Sequence, residues 1–221
     1  VALAANALTT LDTVNDELGF TTGDDTTRDA RLERYINVAS DLFSQMVGRD
    51  LHYREDVAEK VASGGDVRLV VYEATPIDSI TSVVIDDGVT SSTVDSDDYR
   101  IEDADAGLIE HIDGTWEDTE VYAWNIERET KGRQLAHYTV TYDGGWVTQE
   151  QDDNDGTLTR DLPYDIEQAV IDYVVMKDAR KGRDPNVSSL KTLSASVSYM
   201  GQEVPQSFKA AVERYKIREV L

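Results

Sequence analysis

Along the chain, Leu32, Tyr35, Ile36, Ala39, Leu42, Phe43 and Met46 fall at i, i+3, i+4, i+7, i+10, i+11 and i+14. That spacing is one apolar face of an α-helix. Thr27 reads as its N-cap and Gly48 as its stop. A shorter helix precedes it, with Thr10 as N-cap, Leu11, Val14 and Leu18 on one side, Asp12 in the first turn and Gly19 at the end.

The period then shortens to two. Val67, Leu69 and Val71 mark a strand over residues 66–73, entered through Gly64 and Gly65 and expected to pair as a hairpin with residues 52–62. Further strands are expected at 80–86, 99–102, 108–112, 120–126 and 135–142, and Gly144 and Gly145 end the last. Residues 149–156 read as a polar, acidic loop. Helix returns at Pro163, with Ile166, Ala169, Val170, Tyr173 and Val174 on one face, cations at Lys177, Arg180 and Lys181, and Gly182 as stop. Residues 184–202 are Ser-rich and read as an extended arm with a strand at 195–199. A last helix opens at Pro205 and turns Phe208, Ala211, Val212 and Tyr215 inward.

The order helix, helix, strands, helix, helix predicts an α+β fold. It is a small bundle of about four helices, with a β-strand insertion between the second and third. The expected divisions are 1–50 for the N-terminal helices, 51–146 for the β-rich insertion, 147–161 for the acidic loop, and 162–221 for the C-terminal helices and arm.

Charge changes this picture more than hydropathy does. The 221 residues hold 44 Asp and Glu against 21 Lys and Arg, a formal net charge of −23. A chain this acidic lacks the basic face that sequence-independent binding to nucleic acid requires. Asp outnumbers Glu 28 to 16 and Arg outnumbers Lys 14 to 7, with the acids spread along the whole chain. At molar salt the Debye length falls to about 3 Å, so such a surface stays soluble without repelling itself apart. The composition resembles proteins of salt-accumulating haloarchaea and their viruses. There is no cysteine, which removes disulfides, thiolate zinc sites and cysteine nucleophiles. No apolar run is long enough to span a membrane, and the N-terminal order is not that of a signal peptide.

Candidate chemistry is sparse. Residues 151–162 come nearest to a calcium loop, with Asp153, Asp155 and Gly156 in place, but Gln151 and Leu162 stand where the end ligands belong. His52, His111 and His137 have no metal-ligand spacing. Asp143, Gly144 and Gly145 form a turn with no Gly-Lys-Ser/Thr after it, and no Gly-x-Ser-x-Gly occurs. No catalytic residue, metal or cofactor is expected, and the chain is not read as an enzyme.

The order of the pieces carries a resemblance. Leu11-Asp12-Thr13-Val14-Asn15 through Leu18-Gly19, then Arg31-Leu32-Glu33-Arg34-Tyr35-Ile36-Asn37-Val38-Ala39-Ser40 and Val47-Gly48-Arg49-Asp50-Leu51, resemble the first two helices of head–tail connector (adaptor) proteins of long-tailed phages and archaeal tailed viruses. Thr75-Pro76-Ile77-Asp78-Ser79-Ile80 is similar to that family's Pro-Ile junction between strands. Tyr138-Thr139-Val140-Thr141-Tyr142-Asp143-Gly144-Gly145-Trp146, then Leu162-Pro163, resembles its last strand, glycine turn and Pro-led helix. The likeness runs from Leu11 to about Arg180, with a longer β region between Ile80 and Leu135 than in compact members.

The resemblance implies a structural virion part at the portal vertex, made in the host cytoplasm. Its partners would be further copies of itself in a ring of about twelve, the portal protein, and a stopper or tail-side protein. Genomic DNA would pass through the lumen without specific binding, and no membrane is involved. The family's C-terminal segment docks on the portal, which assigns that role here to Phe208, Tyr215, Ile217, Val220 and Leu221. Read as residues alone, Ile217, Val220 and Leu221 are equally a helix end folded onto the bundle. The alternatives are a haloarchaeal extracellular module binding carbohydrate or calcium, and another virion part such as a tail-completion protein. Helical flanks disfavour the extracellular module, because such modules are usually all-β sandwiches.

Overall fold

The computed structural model describes residues 2–86, 90–119, 137–181, 189–191, 196–198 and 204–216. The chain forms two units, one of Val1–Gly48 with Thr148–Arg218, the other built on Arg49–Val147. The architecture is α+β, with helices in the first unit and antiparallel sheets in the second.

In the helical unit, α1 (Leu11–Leu18) is capped by Thr10, whose hydroxyl accepts the Thr13 N–H, and ends at Gly19 in the left-handed conformation. The long helix α2 (Thr26–Val47) starts two residues before the position expected from Thr27. Asp25 is its N-cap, because its carboxylate accepts the N–H groups of both Thr27 and Arg28 at 3.0 Å. Gly48, at φ 90°, closes it through an N–H to the Ser44 carbonyl. The periodic face Leu32, Ile36, Ala39 and Phe43 is buried.

Two further helices complete this core. They are α4 (Tyr164–Ala179), which buries Ile166, Ala169, Val170, Tyr173 and Val174, and α5 (Gln206–Tyr215), which buries Phe208, Ala211 and Val212. Phe208 meets Phe43 edge-on at 5.0 Å and Tyr173 at 5.5 Å, so three helices share one aromatic contact. Arg31 near the start of α2 pairs with Asp178 near the end of α4 at 2.9 Å, which fixes them antiparallel. Ser207 to Asp172 and Tyr215 to Asp165 hold α5 antiparallel to α4 in the same way.

Residues 149–156, expected as a loop, contain a helix instead: α3 (Gln149–Asn154). Thr148 and Gln151 form a reciprocal capping box, with the Thr148 hydroxyl accepting the Gln151 N–H and the Gln151 side chain accepting the Thr148 N–H. With it the described α-helices number five, in keeping with the expected bundle of about four. In the C-terminal arm a small hairpin is present, β8 (Ser189–Lys191) with β9 (Ser196–Ser198). Gly182, expected to stop α4, lies outside the described residues.

The sheet unit holds β1 (Arg54–Val61), β2 (Arg68–Val70), β3 (Ile77–Asp86), β4 (Ser91–Thr93), β5 (Tyr99–Asp103), β6 (Leu108–His111) and β7 (His137–Gly144). One sheet has the order β1-β7-β3-β4 and the other β2-β6-β5. The expected hairpin of 52–62 with 66–73 does not form. Instead β1 pairs with β7, Val61 opposite Tyr138, while β2 pairs with β6. The reason lies in the turn between them. Ser63 and Asp66 give their carbonyls to the N–H groups of Thr119 and Trp116, so the segment before Thr119 occupies the place a hairpin partner would take. The expected strand at 120–126 lies outside the described residues, as do 135 and 136.

Strand β7 alternates half-buried and buried along its length, with Tyr138, Val140 and Tyr142 inward. These join Val57, Leu69, Val71, Val83, Ile109 and Trp116 in one core between the sheets. Trp116 sits at its centre, edge-on to Tyr138 at 5.3 Å and to His111 at 5.2 Å.

Candidate functional site

Among the described residues no three His, Asp or Glu side chains are grouped to hold a metal ion, and no helix is long and apolar enough to cross a membrane. The calcium-loop candidate is dismantled by its own hydrogen bonds. Asp153 is inside α3, and the Asp155 carboxylate accepts the Thr157 N–H at 3.0 Å and its hydroxyl at 2.7 Å. Those two donors hold the Asp155 carboxyl below the usual carboxylate range. The three histidines stay apart in role: His111, at the end of β6, meets the Trp116 ring edge-on, His137 opens β7, and His52 bridges to Trp146. Burial pushes the His52 imidazole below its ordinary value, against a smaller opposing pull from Asp50.

Of the residues assigned to portal docking, Phe208 is fully buried and its ring is engaged with Phe43 and Tyr173. Tyr215 is half-buried and donates to Asp165 at 2.7 Å, and burial followed by that bond raises its phenol. Ile217, Val220 and Leu221 lie outside the described residues.

Two polar joints stiffen the sheet unit. The Glu59 carboxylate accepts the N–H groups of Tyr72 and Glu73 at 3.0 Å and the Tyr142 hydroxyl at 2.9 Å. That hydroxyl in turn accepts the Ala74 N–H, and burial raises its phenol strongly. Arg54 bridges Asp50 at 2.6 Å and Glu73 at 2.7 Å. Nearby, Arg49 donates to the Thr75 hydroxyl and the Asp105 carbonyl and lies over the Trp146 ring at 5.2 Å. These contacts tie the strands and loops of the sheet unit to one another.

What remains available for recognition is surface. Tyr164, 77% exposed, carries the Arg160 guanidinium over its ring at 4.1 Å, and half-exposed Phe20 carries Arg28 at 3.9 Å. In the helical unit, Leu3, Ala4 and Ala5 line a groove of about 420 Å³ together with Glu150, Gln151, Asn154, Asp155 and Leu158. Sequence reasoning missed this groove because it took 149–156 as a loop. The Thr148-x-x-Gln151 spacing was the signal that would have found its helical wall.

No family model matches the chain, and no curated protein matches it. Solved structures do. A chain from the neck of an empty GTA particle, computed with C6 symmetry, superposes with a TM-score of 0.59 at 16% identity, covering 100% of this chain and 95% of that one. A chain from the neck of a native GTA particle, computed with C12 symmetry, gives 0.56 at 16% identity over 100% and 94%. A chain from the virion of a native gene transfer agent gives 0.58 at 17% identity over 100% and 95%. At this identity the likeness establishes a shared fold along the whole chain.

Proposed function

We propose that this chain is a structural, non-catalytic component of a virion neck. It forms a ring, of about twelve copies, between the portal and a stopper or tail-side protein, and genomic DNA passes through the lumen. The observation that carries the reading is the fold match over the full chain to gene transfer agent neck chains. The C6 and C12 symmetries of those necks support a ring. A net charge of −23 favours a conduit that repels phosphate instead of gripping it.

In this reading the C-terminal region docks on the portal. Because Phe208 is committed to the core, the contact falls to Tyr215 and the residues after it, Ile217, Val220 and Leu221. The acidic composition supports a salt-rich setting and a halophilic, archaeal-virus host range. Electron microscopy of purified virions, and of the chain mixed with its cognate portal in molar KCl, tests the assignment. A ring of this chain seated on the portal is the expected result, and density elsewhere in the virion would overturn it.

A further inference from the structure

A peptide step from aspartate to glycine closes readily to a cyclic imide, because glycine has no Cβ to hold its nitrogen away from the preceding carboxyl. The sequence has such steps at Asp87, Asp113, Asp143 and Asp155, and the first lies outside the described residues. The fold treats the other three differently. In β7 the Asp143 carboxylate accepts the Asp56 N–H and the Ser79 hydroxyl, both at 2.9 Å, and Gly144 is crowded by the Ala74 and Pro76 carbonyls. The Asp155 carboxylate accepts the Thr157 N–H at 3.0 Å and its hydroxyl at 2.7 Å. Those donors favour the ionised form, which is a poor electrophile. Asp113 is exposed and has no hydrogen bond or ion pair among the described residues, and the Gly114 N–H likewise donates to none of them.

We propose that Asp113 is a modification site, where the folded chain isomerises spontaneously to isoaspartate in preference to Asp143 and Asp155. The Gly114 nitrogen attacks the Asp113 carboxyl carbon, and the new N–C bond closes a five-membered imide. The carboxyl hydroxyl leaves with the amide proton as water. Water then adds back at either imide carbonyl, and opening at the main-chain carbonyl routes the backbone through the Asp113 side chain. The surrounding bend leaves room for this approach. Ile112 is held by its N–H on the Asp98 carbonyl at 2.8 Å and Trp116 by its N–H on the Asp66 carbonyl at 2.9 Å, while residues 113–115 between them are exposed. The product adds one methylene to the main chain between those two anchors, next to the tryptophan at the centre of the sheet unit's core. The chemistry does not depend on the virion reading. In a particle whose parts are not replaced after assembly, the change accumulates with age.

The full-length chain, aged in molar KCl and then digested, tests this by mass spectrometry with electron-transfer fragmentation, which separates isoaspartyl from aspartyl peptides. The peptide holding Asp113 is expected to gain isoaspartate several-fold faster than those holding Asp143 or Asp155. Ageing in urea removes the fold and should bring the three rates together. Gly114→Ala puts a Cβ 3.4 Å from the His111 ring, an ordinary contact, so the fold is kept while the rate at Asp113 falls several-fold. Equal rates at the three sites in the folded chain, or faster change at Asp143 or Asp155, would overturn the proposal. So would a folded chain with no isoaspartate at Asp113 over a time in which the urea-treated chain acquires it, or a rate at Asp113 that Gly114→Ala leaves unchanged.

Discussion

Gly144 shows how a single backbone position is dictated by its neighbours. A Cβ there would lie 2.3 Å from the Ala74 carbonyl oxygen and 2.8 Å from that of Pro76. Gly144→Ala is therefore expected to lower stability by about 2–3 kcal/mol, as overpacking does, read as a lower urea midpoint. His52 makes a pH-dependent contribution whose sign follows from its depressed value. The folded state favours the neutral ring, so its contribution is complete above the ordinary histidine value of 6.5. It is lost as pH falls below that value toward the folded one, because the unfolded chain then binds the proton first. Unfolding midpoints should fall as pH drops through that window, and His52→Gln should flatten this part of the profile. An unchanged profile would show that another group carries it.

Among elements, the short helix α3 depends on its cap more than on length, since six residues are too few to be stable alone. Thr148 is buried and closes the capping box. Thr148→Ala should cost about 1 kcal/mol and speed amide exchange across 149–154, while exchange in α2 changes little. The three-helix contact at Phe208 is a larger stake. Phe208→Ala removes a fully buried ring touching Phe43 and Tyr173 and is expected to cost about 3–5 kcal/mol. That loss should appear in the unfolding of the isolated chain, before any portal is present.

For the molecule as a whole, the distribution of 44 acids decides behaviour in salt. Raising KCl from about 0.1 M to 1 M shortens the Debye length from about 10 to 3 Å, which screens repulsion among surface carboxylates. The thermal midpoint should rise across that range, and a flat or falling midpoint would set aside the salt-rich setting. Acid should also destabilise the fold. The carboxyls of Asp25, Glu102 and Asp155 are held low by hydrogen bonds from Arg28, Arg68 and Thr157. Their contributions are present above the ordinary carboxylate range and are lost as pH falls through their lowered values.

Sequence alone determined the helices and the α+β order, because a cap, a 3.6-residue period and a closing glycine act within a few residues of one another. Thr10 with Gly19, and Leu32 to Phe43 with Gly48, needed no distant information. The capping box at Thr148 was equally local but was hidden in an acidic run that reads as loop. The partner of each strand was decided only in three dimensions. Val61 faces Tyr138, 77 positions further along the chain, because both sides of the core must be filled by residues alternating at the same register. The groove beside Leu3 and Leu158 exists for the same reason. Its walls come from segments far apart in the chain, and no local pattern records that they meet.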